Sequence, residues 1–248
     1  MYEMVGFSAN AREASREHAK MWREDMEQTK PETPYVRQLP LGPMKNFVYL
    51  VGAPGGREAF VIDPAWDVHA ILSALQADRR VLTGIFLTHH HHDHINGVPE
   101  LLQGLDLPVY VQKAELDFAT EALRPFAGAV RAVSPGQRVE LAGLEVECLH
   151  TPGHTPGAQC LLCRSGLFTG DTLFVNACGR CDFPGSDPLK MHDSLFNVLG
   201  RVDAARPLYP GHDYGDVKVS SLARERKWNP YLQLREPAAF VKHRMTPR

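Results

Sequence analysis

Residues 81–94 read Val-Leu-Thr-Gly-Ile-Phe-Leu-Thr-His-His-His-His-Asp-His, an apolar run that leads directly into five histidines and a carboxylate. The apolar half has the length and the branched, aromatic composition of a buried strand. The polar half falls where the chain leaves that strand, and loops on a rigid scaffold are where functional side chains concentrate. Because imidazole and carboxylate groups are the usual protein ligands of zinc and iron, this stretch predicts a metal site.

The register of the histidine run separates its members into two sets. Side chains two residues apart turn to the same side of an extended chain, so alternate histidines share a side. One set gives the pattern His-x-His-x-Asp-His, formed by His89, His91, Asp93 and His94. His90 and His92 occupy the alternate positions and are predicted to point away from the first metal, so we assign them no ligand role. A purification tag is the trivial alternative, but tags lie at chain termini.

Four donors do not complete the shells of two metals, so the site requires further ligands downstream. Three candidate strands each end in a turn that carries one: His154 in Thr-Pro-Gly-His-Thr-Pro-Gly, Asp171 in Thr-Gly-Asp-Thr, and His212 in Pro-Gly-His-Asp-Tyr-Gly. Glycine and proline in such turns allow a close approach of backbone and metal. A single His or Asp after a strand is more often a capping or solvated residue, but three in this order indicate a shared site.

Taken together, these motifs resemble the metallo-β-lactamase superfamily, in the branch of glyoxalase II and the persulfide dioxygenases, over about residues 35–235. The resemblance implies an α/β fold, the αββα sandwich, in which two mixed β-sheets are flanked by helices. It also implies two metal groups and a bridging carboxylate, namely His89, His91 and His154 for the first metal, Asp93, His94 and His212 for the second, and Asp171 between them. An Asp at the bridging position argues against a true β-lactamase, because lactam-cleaving members generally carry another residue there.

Length and composition favour a single main domain. At 248 residues with 44% hydrophobic content, the chain is long enough for one sizeable core. Lys and Arg total 27 against 29 Asp and Glu, and the formal charge of −2 argues against nucleic acid or an anionic membrane as a partner. The sequence has no stretch of signal-peptide type at its start and no apolar run near the roughly 18 residues of a membrane span. We therefore expect a cytoplasmic protein.

The sequence predicts an N-terminal helical extension over residues 1–34 and a main domain with a short helical tail over residues 35–248. The extension contains a helix over residues 8–29, which is amphipathic and ends before Pro31. This helix lies outside the region of resemblance. Packing over the main domain is favoured for it, and a homodimer contact is the alternative, with Trp22 as the anchor in either case.

Within the main domain, apolar runs bounded by turn residues predict alternating strands and helices. The strands are expected near residues 35–39, 46–51, 59–62, 81–87, 109–111 and 158–164, and the helices near residues 67–77 and 97–102. A hairpin is expected around Ala142 and Gly143, and further strands are expected to enter each of the three downstream turns.

An odd number of cysteines indicates reduced thiols rather than a disulfide framework, and the five are Cys148, Cys160, Cys163, Cys178 and Cys181. The last four form two C-x-x-C pairs, which is the spacing of a zinc ribbon. However, the strand predicted over residues 158–164 sends Cys160 and Cys163 to opposite faces, so they cannot share one ion without a bulge. A reversible disulfide between Cys178 and Cys181 stays open on spacing alone.

The resemblance implies a metal-dependent hydrolase that cleaves a small-molecule thioester, such as S-lactoylglutathione or a related acyl thiol, with a metal-bridging hydroxide. Two divalent ions are the implied cofactors; zinc is favoured, and iron and manganese are compatible with the same donors. Asp93 is predicted to bind metal and to orient the hydroxide. Arg180 is predicted to hold a carboxylate of the thiol carrier, with pairing to Asp182 as the alternative. Tyr214, beside His212, is predicted to offer its hydroxyl to the site, with core packing as the alternative.

The main alternative is a persulfide dioxygenase, in which a single iron held by His89, His154 and Asp171 acts on glutathione persulfide. The donors are the same, so the loop after Asp171 has to discriminate. Persulfide dioxygenases tend to read Asp-Ala-Leu-Leu and later Gly-Arg-Thr-Asp-Phe-Gln, whereas here residues 171–174 read Asp-Thr-Leu-Phe and residues 179–184 read Gly-Arg-Cys-Asp-Phe-Pro. This difference favours the hydrolase.

Two further alternatives carry less weight. A lactone is open to the same hydroxide attack as a thioester, so a lactonase is compatible with the motifs. A binding protein on a degenerate hydrolase fold is disfavoured, because such copies usually lose ligands. The thirty-six residues after His212 are too few for the helical glutathione-binding domain of the larger glyoxalase II enzymes, so the resemblance does not extend to the part that binds glutathione in them.

Overall fold

The computed structural model describes residues 33–246. The first of its sheets has six strands and is mixed. The strands of this sheet, in spatial order, are β1 (Tyr35–Leu41), β2 (Asn46–Gly52), β3 (Glu58–Ile62), β4 (Val81–Phe86), β5 (Val109–Gln112) and β6 (Val130–Val133). The first three strands pair antiparallel, and β3 to β6 pair parallel. The connections between the parallel strands run through helices, as parallel pairing requires.

A second sheet and a small hairpin follow along the chain. Their strands are β7 (Gln137–Leu141), β8 (Leu144–His150), β9 (Gln159–Cys163), β10 (Gly166–Gly170), β11 (Leu173–Phe174), β12 (Ala177–Cys178), β13 (Pro207–Pro210) and β14 (Ser220–Ser221). The second sheet has the order β14-β13-β10-β9-β8-β7, and β11 pairs with β12 alone. Only β10 and β13 pair parallel in this sheet; its other pairs are antiparallel. The expected hairpin at Ala142 and Gly143 joins β7 to β8.

Helices cover the outer faces of the two sheets. They are α1 (Val68–Ala77), α2 (His92–Ile95), α3 (Val98–Gly104), α4 (Leu116–Leu123), α5 (Pro188–Asp193), α6 (Leu222–Trp228) and α7 (Pro237–Met245). Buried residues of α1 and α3 pack on the first sheet, and those of α5, α6 and α7 pack on the second. The αββα sandwich with two mixed sheets is therefore confirmed. Within the described residues, no helix has the length and apolarity that a membrane crossing requires.

The alternation of side chains along β2 explains how one strand serves two cores. Phe47 and Tyr49 are buried between the two sheets, whereas Val48 and Leu50 are buried under the helices of the first sheet. A strand that is buried on both faces reads as a continuous apolar run, as this one does. The same alternation governs the second sheet.

The strand β9 sends its two cysteines to different cores, as the sequence predicts. Cys160 is buried under the helices of the second sheet, and Cys163 is buried between the sheets. All five cysteines of the chain are buried and none forms a disulfide. The spacing therefore does not give a zinc ribbon, and the structure has no disulfide between Cys178 and Cys181.

The elements expected in the main domain are present, with shifts of one or two residues at their ends. The helix expected from Asp67 begins one residue later, because the Asp67 carboxylate accepts a hydrogen bond from the Ala70 N–H at 2.8 Å and so caps the helix. The helix predicted over residues 8–29, and with it the proposed extension, lies outside the described residues. The division of the chain into an extension and a main domain stays a prediction.

The topology brings the predicted donors to one edge of the sandwich. β8, β10 and β13 run in the same direction, so their carboxyl ends, and the turns that carry the downstream donors, meet. Backbone hydrogen bonds then join the two sheets at this edge, since Gln159 N donates to Thr88 O at 2.9 Å and Phe47 N donates to Gly211 O at 2.8 Å. The loop after β4 is thereby held against the turns of the second sheet.

Candidate metal centre

Three histidines from two loops form the first group of donors. His89 and His91 follow β4, and His154 lies in the turn after β8. His91 Nδ1 lies 3.1 Å from His89 Nε2 and 2.9 Å from His154 Nε2. Burial lowers the pKa of His91 to about 4 and that of His89 well below its usual value, so both rings are neutral at neutral pH. Neutral imidazole is the form that binds metal.

A second group lies beside the first and contains Asp93, His94 and His212. Asp93 and His94 are carried by the single turn of α2, and His212 lies in the turn after β13. The Nε2 atoms of the two histidines are 3.1 Å apart, and each lies 3.5 Å from Asp93 Oδ2. All three residues are at least nine-tenths buried.

Asp171 lies between the two groups. Its Oδ2 atom is 3.5 Å from His154 Nε2 in the first group and 3.4 Å from His212 Nε2 in the second. The turn after β13 leaves room for this carboxylate only because residue 211 is glycine, since a Cβ there would lie 2.5 Å from Asp171 Oδ1. The structure thus brings all seven predicted donors into one cluster.

Hydrogen bonds on the outer side of the rings fix which nitrogen faces inward. Three histidines place Nδ1 against an oxygen that can only accept: His94 against Asp63 Oδ2 at 3.0 Å, His154 against Arg180 O at 2.8 Å, and His212 against Met44 O at 2.9 Å. In each ring Nδ1 therefore carries a proton, and in the neutral ring Nε2 presents a lone pair to the cluster. Such outer partners orient the ligand histidines of metal sites.

The cluster requires a positive charge at its centre. Asp171 Oδ1 is buried and has no hydrogen-bond partner among the described residues. Burial lowers the pKa of His94, but the carboxylates of Asp171 and Asp63 outweigh it and raise that pKa to about 9. Inward lone pairs and carboxylate oxygens at these distances fit divalent metal ions, and nitrogen and oxygen donors of this kind suit zinc, iron and manganese.

Asp63 is a supporting residue that the sequence analysis missed. It directly follows β3, and it accepts hydrogen bonds from Thr88 N at 2.7 Å, from Thr88 Oγ1 at 2.6 Å and from His94 Nδ1. Asp63 lies close enough to His89 and His94 to form a possible metal-binding group with them. However, both of its carboxylate oxygens accept hydrogen bonds from Thr88 and His94 on the outer side of the cluster. The pattern that could have identified Asp63 is the one used for the proposed donors, a polar residue directly after an apolar strand.

A second supporting residue holds Asp93. Asn46, at the start of β2, donates from Nδ2 to Asp93 Oδ2 at 2.9 Å and to Asp93 O at 2.9 Å. Trp66 Nε1 donates to Asn46 Oδ1 at 2.8 Å, which fixes the orientation of the amide. No local pattern in the sequence indicates this chain of contacts, because the three residues come from separate elements.

The two remaining histidines of the run lie outside the donor set, as expected. His90 turns away from the cluster, and both its backbone N and its Nδ1 face Glu115 Oε1. His92 is exposed and faces the ring of Trp66, with centroids 6.3 Å apart. The side chains of the five histidines therefore lie as the register of the His-x-His-x-Asp-His motif predicts, and their roles as ligands stay a prediction.

The predicted substrate-binding residues both border the cavity in front of the cluster. Arg180 is exposed and forms a two-pronged ion pair with Asp182, at 2.9 and 2.7 Å, which is the arrangement named as its alternative. Its guanidinium also lies 4.5 Å above the ring of Phe183. Tyr214 is half exposed and stacks on the ring of His212 with centroids 4.6 Å apart. These contacts leave both substrate-binding assignments as predictions.

The cavity has a volume of about 560 Å³, and side chains of the donor cluster form its floor. Apolar and aromatic side chains dominate its walls: Met44, Phe174, Phe183, Tyr214 and Tyr231. A second arginine, Arg244 of α7, also reaches the cavity and was not singled out from the sequence. Arg244 Nη1 donates to the Tyr231 hydroxyl at 2.7 Å, whereas its buried Nε has no hydrogen-bond partner among the described residues.

Comparison with known proteins gives a consistent set of relatives. A family model described as the metallo-beta-lactamase superfamily matches residues 41–212. The probable polyketide biosynthesis zinc-dependent hydrolase PksB of Bacillus subtilis (strain 168) is 33% identical over 199 residues, which cover 80% of this chain and 87% of that protein. A hydroxyacylglutathione hydrolase of Shewanella loihica is 36% identical over 175 residues, which cover 71% of this chain and 64% of that protein.

A solved structure also matches this fold. The crystal structure of ETHE1 from Myxococcus xanthus superimposes with a TM-score of 0.75 and is 30% identical in sequence. The match covers 86% of this chain and 92% of that one. The matches therefore include proteins named as a zinc-dependent hydrolase, a hydroxyacylglutathione hydrolase and ETHE1.

Proposed function

The chain belongs to the metallo-beta-lactamase superfamily, and we propose that it is a binuclear metallohydrolase that cleaves a thioester, such as a glutathione thioester or a related acyl thiol. The observation that carries this proposal is the position of Asp171, whose Oδ2 lies within 3.5 Å of one histidine from each donor group. A carboxylate in that position suits two ions better than one.

The proposed mechanism assigns a task to each donor group. When bound, two divalent ions lower the pKa of a water molecule and polarise the carbonyl oxygen of an acyl substrate. Asp93 has the place to orient that water, because Asn46 holds its carboxylate at the floor of the cavity. The outer hydrogen bonds keep the histidine rings in one orientation, so the site needs little rearrangement during the reaction.

Zinc is the metal we propose. The name of PksB describes a zinc-dependent hydrolase, and this relative is similar over most of both chains. Five histidines with two carboxylates form a donor set that zinc accepts readily. Iron and manganese accept the same set, so metal identity has to be measured.

The walls of the cavity support an anionic thiol substrate with an apolar portion. Aromatic side chains supply the apolar contact, and Arg180 and Arg244 supply positive charge at its border. Asp182 already neutralises Arg180, whereas the Nε of Arg244 has a hydrogen to donate and no acceptor among the described residues. We therefore propose that Arg244 shares with Arg180 the binding of a carboxylate or phosphate on the thiol carrier.

A panel of substrates tests the proposed function. The zinc-loaded protein is expected to release thiol from S-lactoylglutathione or from an acyl-pantetheine thioester, to lose this activity with a chelator, and to regain it with added zinc. The ratio of kcat/KM for the two thioesters identifies the carrier. Turnover of a lactone but of neither thioester would refute the thioesterase and support a lactonase.

A persulfide dioxygenase is the second candidate, because the donor motifs of the sequence also resemble that branch of the superfamily. In that case His89, His154 and Asp171 would hold one iron, with the remaining positions open for oxygen and a persulfide. The close contacts of Asp171 to the second group, at 3.3 Å from His94 and 3.4 Å from His212, favour the binuclear alternative.

A further inference from the structure

A buried carboxylate outside the donor set joins the two loops that carry the first group of histidines. Glu115 lies at the end of a short turn after β5 and is fully buried. Its Oε1 faces the backbone N of His90 at 2.9 Å and His90 Nδ1 at 2.5 Å, and its Oε2 accepts from the backbone N of Gly157 at 2.6 Å. One carboxylate therefore satisfies donors from the loop after β4 and from the turn after β8.

The two segments approach so closely that the turn after β8 requires glycine. A Cβ at residue 157 would lie 2.4 Å from the backbone N of Glu115 and 2.5 Å from its Oε2. Side chains larger than hydrogen would push Glu115 away from the turn. The contact between Glu115 and the turn after β8 therefore depends on the residue type at both positions, a carboxylate at 115 and a glycine at 157.

The positions of the bonded residues connect this contact to the metal cluster. His90 lies between His89 and His91, and Gly157 lies three residues after His154. All three donors of the first group are therefore on segments that Glu115 holds together. The second group has a different support, because Asp63 holds His94 and the backbone of Met44 holds His212.

We propose that Glu115 is a positioning residue that sets the spacing of the first donor group and so controls the affinity of that metal position selectively. This inference rests on the metal assignment of the proposed function. It also gives a role to His90, which lies outside the donor set but supplies two of the donors to Glu115. The side chain of His90 is further held by stacking on Phe118, with centroids 5.1 Å apart.

The substitution Glu115→Gln tests the inference because it keeps the shape of the side chain. The amide offers only one acceptor oxygen, so its NH₂ group has to face an N–H of either His90 or Gly157. We expect one of two ions to bind about 10- to 100-fold more weakly, as is typical when an outer partner of a ligand is lost, while the other ion keeps its affinity. Competition titration with a chromophoric chelator measures both affinities, and the absorption of the cobalt-loaded protein reports the geometry of the altered position.

A matched control separates positioning from general destabilisation. Glu225 is also fully buried and accepts from Asn176 N at 2.7 Å, but it contacts none of the seven proposed ligands. Glu225→Gln is expected to lower the unfolding temperature of the metal-free protein while both ions keep their affinities. Unchanged affinities in Glu115→Gln, or equal weakening of both ions in both variants, would overturn the inference.

Two further results keep the test decisive. If Glu115→Gln does not fold, His90→Phe retains the stacking on Phe118 and removes one donor, and the same ion is expected to weaken by about three- to tenfold; no change would refute the role. If the wild-type protein binds a single ion, the binuclear proposal fails. The inference about Glu115 then still requires that this ion binds more weakly in the variant, and equal affinity would refute it separately.

Discussion

At the scale of single residues, Asp171 is the side chain on which the account of the site depends. It touches both donor groups, and its Oδ1 lacks a hydrogen-bond donor among the described residues. We expect Asp171→Ala to lower bound metal to less than one ion per chain and to reduce thioester hydrolysis at least about 100-fold, beyond the loss typical of an outer residue. Elemental analysis and initial rates measure the two effects.

The control for this substitution is Asp203→Ala. Asp203 is exposed and lies outside the cavity, so its variant is expected to match the wild type in metal content and in rate. Full metal occupancy in Asp171→Ala would contradict the bridging role.

The two arginines at the border of the cavity differ in their partners, and this leads to a second prediction. Arg244→Gln is expected to raise KM for an anionic thioester by about tenfold with little change in kcat, because the lost contact concerns the thiol carrier and not the reacting bond. Arg180→Gln is expected to raise KM by less than about threefold, since Asp182 already occupies its guanidinium. Steady-state kinetics of both variants provide the comparison.

Arg138→Gln serves as the matched control, because Arg138 pairs with Glu145 on the surface and lies outside the cavity. A KM that is unaltered in Arg244→Gln and strongly raised in Arg180→Gln would restore Arg180 as the principal anchor.

The sequence indicates the seven proposed donors more directly than the residues around them. Each proposed donor follows an apolar strand, and the three downstream donors also stand in turns that contain glycine or proline, so the pattern is local. Glu115 and Asn46 act through partners that lie 25 to 47 positions away in the chain. Their roles depend on which strands become neighbours, and a single sequence does not encode that in any short pattern.

At the scale of elements, one arrangement recurs in this fold: a strand is followed directly by a loop or turn that carries a proposed donor. The strands β4, β8, β10 and β13 were all expected from apolar runs, and each precedes a predicted donor. Helix ends were harder to predict, because capping contacts such as Asp67 with Ala70 decide them. Two short structures near the site, α2 and the β11–β12 hairpin, have too few residues for a periodic pattern to appear.

The turn after β13 provides a prediction at this scale. A methyl group in Gly211→Ala would lie 2.5 Å from Asp171 Oδ1 and 2.9 Å from the backbone of Gly170, so the carboxylate has to move. We expect weaker metal binding and at least about a tenfold loss of activity, in line with disturbed metal ligands. Gly200→Ala is the control, since a Cβ there meets no atom within 4 Å.

Chelator competition and initial rates test this pair. The account requires that Gly211→Ala loses metal affinity while its secondary structure, followed by circular dichroism, matches that of Gly200→Ala. Equal metal affinity in the two alanine variants would show that the turn has enough freedom to accept the extra methyl group, against our interpretation.

At the scale of the whole molecule, the site exists because two sheets present their strand ends at one edge. The first sheet supplies His89, His91, Asp93 and His94 through the segment after β4, and the second sheet supplies His154, Asp171 and His212. Backbone hydrogen bonds such as Gln159 N to Thr88 O fix the two sets of loops against each other. The resemblance of the motifs to the superfamily predicted this architecture, whereas the contacts between the two sheets are seen only in the structure.

The central claim is that the cluster holds two ions and hydrolyses a thioester. The most direct test is elemental analysis of protein purified without added metal, combined on the same sample with thiol release from S-lactoylglutathione and oxygen uptake with glutathione persulfide. Our account predicts about two metal ions per chain, metal-dependent thiol release and no oxygen uptake. About one iron per chain with oxygen consumption, and no thiol release, would contradict it and identify a persulfide dioxygenase.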